Sequence, residues 1–194
     1  AAPPVSWRAI MDKIALRREM LARTAALSPE YIIESDLGIF ENVVSLPEFI
    51  SAGTVFMYYS FDKEPDTHGL VLRALEEGKT VALPRVLGGG RMEHLRIMNP
   101  EDTSAGVFGI REPLEWAERV TPKVGDLVIV PAAAYGRDCS RLGRGGGYYD
   151  RFLRDNPAFT VGLSRDRLLV DRVPEEPHDV RVDCVVTESG IIRR

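Results

Sequence analysis

The chain is predicted to fold as a single α/β domain of three layers, with a mainly parallel central sheet flanked by helices. Two observations predict this. Five short apolar runs, at 54–60, 79–83, Leu127–Val130, Phe159–Leu163 and 183–187, have the length and β-branched content of strands, and stretches of helical periodicity alternate with them. The stretch 54–83, strand then helix then strand, reads as one right-handed βαβ unit. No repeat or low-complexity tract marks a boundary, and 194 residues suffice for one sizeable core, so one domain is expected over 1–194.

Composition narrows the function classes. Hydrophobic content of 44% and charged content of 28% suit a soluble globular protein. A formal net charge of -4 disfavours a general nucleic-acid or acidic-membrane surface, so the arginines 137, 141, 144, 151 and 154 form a local cluster suited to a small anion. Cys139 and Cys184 make no disulfide framework and no metal-ligand spacing, which predicts reduced thiols. No apolar run approaches a membrane span, and the Ala-Ala-Pro-Pro start lacks the regions of a signal peptide. A cytoplasmic monomer without nucleic-acid or membrane partner is expected.

In chain order, Ser6 is placed to cap a first helix carrying Trp7, Ile10, Ile14, Met20 and Leu21 at near-helical spacing. Its other face is basic. Lys13 and Arg17, four apart, share one side and are expected to be solvent-accessible, while Trp7, Ile10 and Ile14 dock the helix. Ser28-Pro29-Glu30 starts a second helix, with core candidates Tyr31, Ile32, Leu37, Phe40, Val43 and Val44. After the strand 54–60 comes a polar loop, 61–67, at the strand end where open α/β sheets bind ligands. A helix over 68–77 ends at Gly78. Gly88-Gly89-Gly90 reads as a hairpin loop into a strand at Arg91–Ile97, and 114–125 as linker.

The stretch 126–153, DLVIVPAAAYGRDCSRLGRGGGYYDRFL, carries the chemistry. An apolar strand closed by Pro131 leads to Arg141, Leu142, Gly143, Arg144, Gly145, Gly146 and Gly147, then to a turn and a half of helix from Tyr148 and Tyr149. Strand, glycine-rich loop and helix start is an arrangement that cradles phosphate on backbone N–H groups, and arginines add forked cationic donors. Asp150 follows the loop, where a carboxylate can hold a magnesium ion bridging phosphate oxygens. The pattern is neither a Walker A nor a dinucleotide fingerprint, since no Lys-Ser or Lys-Thr follows and Tyr148 stands where glycine or alanine is required.

RLGRGGGYYDRFL at 141–153 resembles the signature of the 5-formyltetrahydrofolate cyclo-ligase (methenyltetrahydrofolate synthetase) family. Weaker likenesses extend it from about residue 10 to 190: Lys13-x-x-Leu16-Arg17, the run 59–67, Pro84-Arg85-Val86, the strand with Met92, 109–113 and His178-Asp179. The resemblance implies ATP- and Mg2+-dependent closure of 5-formyltetrahydrofolate to 5,10-methenyltetrahydrofolate, with ATP as co-substrate and a reduced folate as partner. It implies ATP contacts from Lys13, Arg17 and the loop 141–149, and folate contacts from Tyr59, Glu64, Arg144 and Tyr148. It further implies metal contacts from Asp150 and Asp179, with Arg85 and Met92 as further ligand contacts. Taken alone, His178 and Asp179 read only as a loop. Tyr135-Gly136 and the segment 162–167 depart from the family pattern, and Asp138 is a candidate to compensate at Gly136. A different small-molecule phosphotransfer enzyme and a non-catalytic folate or nucleotide binder both stay open.

Overall fold

The structure, a computed structural model, describes residues 5–106 and 109–194, with side chains described from residue 9 onward. Helices α1 (Val5–Ala25), α2 (Pro29–Val44) and α3 (Pro47–Ser51) precede strand β1 (Thr54–Phe56). Helix α4 (His68–Glu76) then leads to the hairpin β2 (Thr80–Gly88) and β3 (Arg91–Ile97). A small ribbon, β4 (Thr103–Ala105) with β5 (Arg111–Pro113), is followed by β6 (Leu127–Val130) and a second ribbon, β7 (Ala134–Tyr135) with β8 (Arg141–Leu142). Helix α5 (Tyr148–Leu153), β9 (Phe159–Leu163), a 3₁₀ turn (Asp166–Leu168), β10 (Cys184–Thr187) and β11 (Gly190–Arg193) complete the chain.

Seven strands form the central sheet in the order β11-β10-β9-β6-β1-β2-β3. The five inner strands are mutually parallel, and β11 and β3 join antiparallel at the edges. Parallel strands are buried on both faces, and alternate residues here serve opposite faces. Val55, Leu127, Ile129, Val161 and Cys184 pack under α2, α3 and α4 against Ile39, Val43, Phe49, Leu70 and Ala74. Phe56, Val128, Val130 and Val185 face the other way, onto Tyr135, Leu153, Leu169 and Val182. That second cover is thinner: one short helix, α5, and irregular chain.

Chain direction fixes where the site can be. After β1 the chain moves to β2 on one side, and after β6 it moves to β9 on the other, so the strand order reverses between β1 and β6. Loops leaving the carboxyl ends of those two neighbours diverge and leave a crevice, the place where open α/β sheets bind ligands.

Local signals explain most boundaries. Ser28 caps α2 by accepting from Tyr31 N at 3.2 Å, with Pro29 in the first turn. The end of α4 closes by Gly78 N to Leu75 O at 2.9 Å and Lys79 N to Ala74 O at 3.0 Å. Strand β1 has three residues where seven were expected. Thr67 Oγ1 donates to Tyr58 O at 2.7 Å and accepts from Ser60 N at 2.9 Å, so side-chain bonds replace the ladder and turn the chain. Strand β11 was not expected.

The first helix departs from expectation. Ser6 lies inside α1 rather than capping it. Ile14 is 44% exposed and Lys13 only 6%, the reverse of the anticipated faces. The helix docks through Leu16 and Met20 onto Ala134, Leu142, Leu168 and Val173, because the sheet is already covered and the apolar ribbon β7–β8 offers the free surface. The anticipated docking by Trp7 lies outside the described side chains. Among the described residues no helix is long and apolar enough to cross a membrane.

Candidate active site

The loop after β6 and β8, residues 143–147, is exposed or half-buried and its backbone is spare. Among the described residues, no N–H from 143 to 147 donates a hydrogen bond to another protein group. Gly145 (φ 105°) and Gly147 (φ 66°) hold the loop in backbone conformations that side-chain-bearing residues rarely adopt. A curved backbone with free donors is a ready anion cradle.

Around this loop lies a cavity of about 170 Å3 lined by Lys13, Arg17, Arg141, Gly143, Gly145, Gly147, Asp150, Glu176, His178 and Asp179. Two elements supply the three cations. Lys13 and Arg17 come from α1, one turn apart, and Arg141 from β8. Lys13 Nζ donates to Asp179 Oδ2 at 2.5 Å and Glu176 Oε2 at 2.8 Å. Burial alone would lower its pKa, but the hydrogen bonds and charges of Asp179 and Glu176 outweigh that and raise it. The hydrogen bond from Lys13 holds Glu176 below the usual carboxylate range. Arg17 Nε donates to Gly143 O at 2.8 Å, fastening the loop to α1. Arg141, 5% exposed, donates to Asp150 Oδ1 at 2.5 Å, and its buried Nε has no acceptor.

The expectation that Lys13 is free in the absence of ligand is therefore corrected. Its partners lie 163 and 166 residues away in a loop that gives no sign in sequence of facing α1.

Carboxylates form the opposite part of the wall. Asp150 also accepts from Val180 N at 3.4 Å, and Asp179 from Glu176 N at 2.6 Å. Ligand atoms of Glu176, His178 and Asp179 lie within 4.8 Å of one another. Glu176 and His178 had no assigned role. The i, i+3 spacing of Glu176 and Asp179 was visible, but a turn carrying two acids is common on any surface.

The sequence-predicted residues divide into those the cavity gathers and those it does not. Lys13, Arg17, Arg141, Leu142, Gly143, Gly145, Gly147, Asp150 and Asp179 line it. Gly146 packs beside the Tyr148 ring, where an added Cβ would lie 2.7 Å from ring carbons. Tyr149 packs instead with the second core, edge-on to Phe152 at 6.2 Å, its buried hydroxyl unpartnered and its phenol pKa pushed up by burial. Arg144 reaches the crevice's other side and donates to Glu64 Oε1 at 2.5 Å.

Glu64, on the loop after β1, accepts from Phe61 N at 2.8 Å. Burial raises its pKa, and the Arg144 guanidinium only partly offsets that. The rings of Tyr59 and His68 pack at a tilt of 44°, their centroids 4.2 Å apart. The His68 hydrogen bond brings Asp66 down to about 2. Arg85 is engaged by Glu93 (3.6 Å) and Glu115 (3.3 Å), and Met92 pairs with Val86 in the hairpin; neither lines the cavity.

The departures at 135–136 are explained by packing. Tyr135 is buried and donates to Val130 O at 2.5 Å, and its ring fills the space over Gly162. A Cβ on Gly136 would lie 2.3 Å from Ser140 Oγ and 2.5 Å from Asp138 Oδ1, so those two side chains occupy that space, and Asp138 accepts from Ser140 N at 3.1 Å. It organises the turn into β8 without touching 143–147.

The 5-formyltetrahydrofolate cyclo-ligase family model matches residues 9–188. The chain is 34% identical to the 5-formyltetrahydrofolate cyclo-ligase of Escherichia coli K12 over 87% of this chain and 96% of that protein. It is 30% identical to a probable 5-formyltetrahydrofolate cyclo-ligase of Schizosaccharomyces pombe, over 94% of this chain and 98% of the other. The solved structure of Aquifex aeolicus 5,10-methenyltetrahydrofolate synthetase superposes with a TM-score of 0.82 at 34% identity, covering 93% of this chain and 92% of that one. The chain belongs to the 5-formyltetrahydrofolate cyclo-ligase family.

Proposed function

We propose that this member of the cyclo-ligase family converts 5-formyltetrahydrofolate to 5,10-methenyltetrahydrofolate with ATP and Mg2+, releasing ADP and phosphate. One observation carries the reading: the cavity wall balances three cations, Lys13, Arg17 and Arg141, against three carboxylates, Asp150, Glu176 and Asp179, beside a backbone with free donors. A bare anion entering it would have to break ion pairs. A metal–polyphosphate pair satisfies both sets, the phosphates taking the cations and the free N–H groups and the metal taking the oxygens.

The donor set fits a hard, oxygen-seeking cation. Asp150 and Asp179 would hold Mg2+, with Glu176 beside them. The ion, when bound, neutralises phosphate charge and polarises the transferring group. Arg141, with a spare buried Nε, and Lys13 and Arg17 would hold phosphate oxygens by charge-assisted bonds. Gly145 and Gly147 would bring the backbone close.

The formyl oxygen of the substrate is a poor leaving group. Transfer of the γ-phosphoryl group to that oxygen, with departure of ADP, makes it a good one. N10 then forms a bond to the formyl carbon and gives up its proton to solvent, the C–O bond breaks, and phosphate leaves with the oxygen as the ring closes. Such chemistry asks the protein for positioning and charge stabilisation, not for a nucleophile. Glu64 would orient the reduced pterin by accepting its N–H groups, with Tyr59 along the same wall. Arg144 and Tyr148 would sit between the two substrates, since Arg144 already spans from the glycine loop to Glu64.

The direct test follows near-ultraviolet absorbance of methenyltetrahydrofolate with ATP and Mg2+ present, and with each omitted in turn. Growth of the band only with all components is expected. ATP binding without turnover, or turnover of other acceptors only, would overturn the proposal.

A further inference from the structure

Arg165 is the largest fully buried side chain of the described residues and none of the chemistry above uses it. It stands after β9, at the carboxyl edge of the sheet, with its side chain 0% exposed. One half of its fork faces α2, where Nη1 donates to Asp36 Oδ1 at 2.5 Å and Ser35 Oγ at 2.9 Å. The other half faces the loop after β1, where Nη2 donates to the backbone carbonyls of Glu64 (3.3 Å) and Lys63 (3.5 Å). Its Nε has no acceptor. Asp36 Oδ1 accepts in addition from Asp66 N at 3.0 Å, so the pair holds the loop at both its middle and its end. Lys63 adds a third tether, donating to Ala25 O at 2.9 Å at the last turn of α1.

Burying a guanidinium is costly unless paired and hydrogen-bonded, and a hydrophobic residue there would cost nothing in charge. The fork is what distinguishes arginine, because one rigid plane meets a carboxylate on one element and carbonyls on another. We infer that Arg165, backed by Asp36, is a positioning residue for the folate-binding side: it fixes the backbone of Glu64 so that the carboxylate meets its ligand at a set distance from the glycine loop. The inference rests on the folate reading of Glu64. Arg165 touches neither substrate; it acts through the Glu64 backbone.

The test compares Arg165→Met, Arg165→Lys and the double variant Asp36→Asn/Arg165→Met in the full chain. Steady-state kinetics for both substrates, thermal melting and amide hydrogen exchange are measured for each. Loss of a positioning contact removes ground-state and transition-state binding together, which raises KM and spares kcat. Arg165→Met should raise the KM for 5-formyltetrahydrofolate about tenfold or more, leave kcat and the KM for ATP within about twofold, and speed exchange of the Asp66 amide while 127–130 stay protected. The double variant, with no buried unpaired charge, should recover much of the lost melting temperature but not the folate KM. Recovery of both together would show a merely structural role and overturn the inference, as would an unchanged Asp66 exchange rate. If Arg165→Met does not fold, Arg165→Lys keeps a charge for Asp36 without spanning to the loop, and the same split in KM is expected; equal effects on both substrates would refute it. Faster loop exchange with unaltered folate KM would instead reject the role of Glu64, and a wild-type protein without cyclo-ligase turnover would reject the proposed function.

Discussion

The two loops that meet across the crevice are held in opposite ways. The glycine loop, 143–147, touches the rest of the protein through carbonyls and one side chain: Arg17 takes Gly143 O, Arg151 takes Gly146 O and Arg144 reaches Glu64, while its backbone N–H groups donate to no protein group among the described residues. The Glu64 loop is tied by side chains from three directions, Arg165, Asp36 and Lys63. Arg165 on that side is fully buried and its partner Asp36 is 21% exposed, whereas the charges beside the glycine loop line an open cavity. Charge pairs that line a cavity are open to exchange with a ligand. A guanidinium buried away from solvent suits a loop whose backbone must not move.

The cavity side should show the largest effect. Lys13→Ala leaves Asp179 and Glu176 largely buried without their cation, and removing one partner of a buried pair costs roughly 3–5 kcal/mol. For a domain of this size that is roughly a 6–20 °C fall in melting temperature. Arg17→Ala, losing one hydrogen bond from a half-buried side chain, should cost only about 1 kcal/mol. Equal, small losses for both variants would show that Lys13 is not the structural partner its contacts indicate.

A smaller effect is expected at Asp150. Asp150→Asn keeps the shape but removes the charge that Arg141 meets and the metal would need. Loss of one charge-assisted ligand should cost Mg-ATP use roughly 1.5–3 kcal/mol, about ten- to over a hundredfold. Titrating magnesium against rate checks it, and unaltered turnover at limiting magnesium would remove Asp150 from the metal site.

The smallest effect on stability, and opposite in sign, belongs to Glu64. Its folded pKa is raised above the ordinary value, so the ionised form is disfavoured by folding. The carboxyl's contribution to stability is fully present below the unfolded pKa and is lost as pH rises through the raised, folded one. Glu64→Gln should therefore melt no lower than wild type at neutral pH, by at most about 1 kcal/mol higher, and the gain should vanish in acid. The same variant should lose folate use. Melting scans from pH 4 to 8 decide the sign; a variant less stable at pH 7 than at pH 4, relative to wild type, would contradict it.

Much of this was written locally in the chain. The Ser28 cap, the strands Leu127–Val130 and Phe159–Leu163, the glycine hairpin at 88–90 and the turn and a half of helix after Gly147 all follow from neighbouring residues, because caps, strand runs and glycine turns are short-range chemistry. The glycine loop was legible for the same reason: its unpaired donors are consecutive backbone groups. Family membership was legible too, through the stretch 141–153.

What sequence could not determine is which charges meet. The α1 face was misassigned because helical periodicity gives an apolar stripe but not the surface it finds, and here the surface was the β7–β8 ribbon, with an acidic turn beyond it. Arg165 stood out only as a departure from pattern; its function as a brace needed α2, the loop after β1 and the end of β9 to converge. Cavity, charge balance and brace all arise at the reversal between β1 and β6, where segments more than a hundred residues apart are brought within hydrogen-bond range. Packing decides such contacts, since a buried charge is tolerated only where the fold supplies its partner, and the partner's position is a property of the assembled sheet.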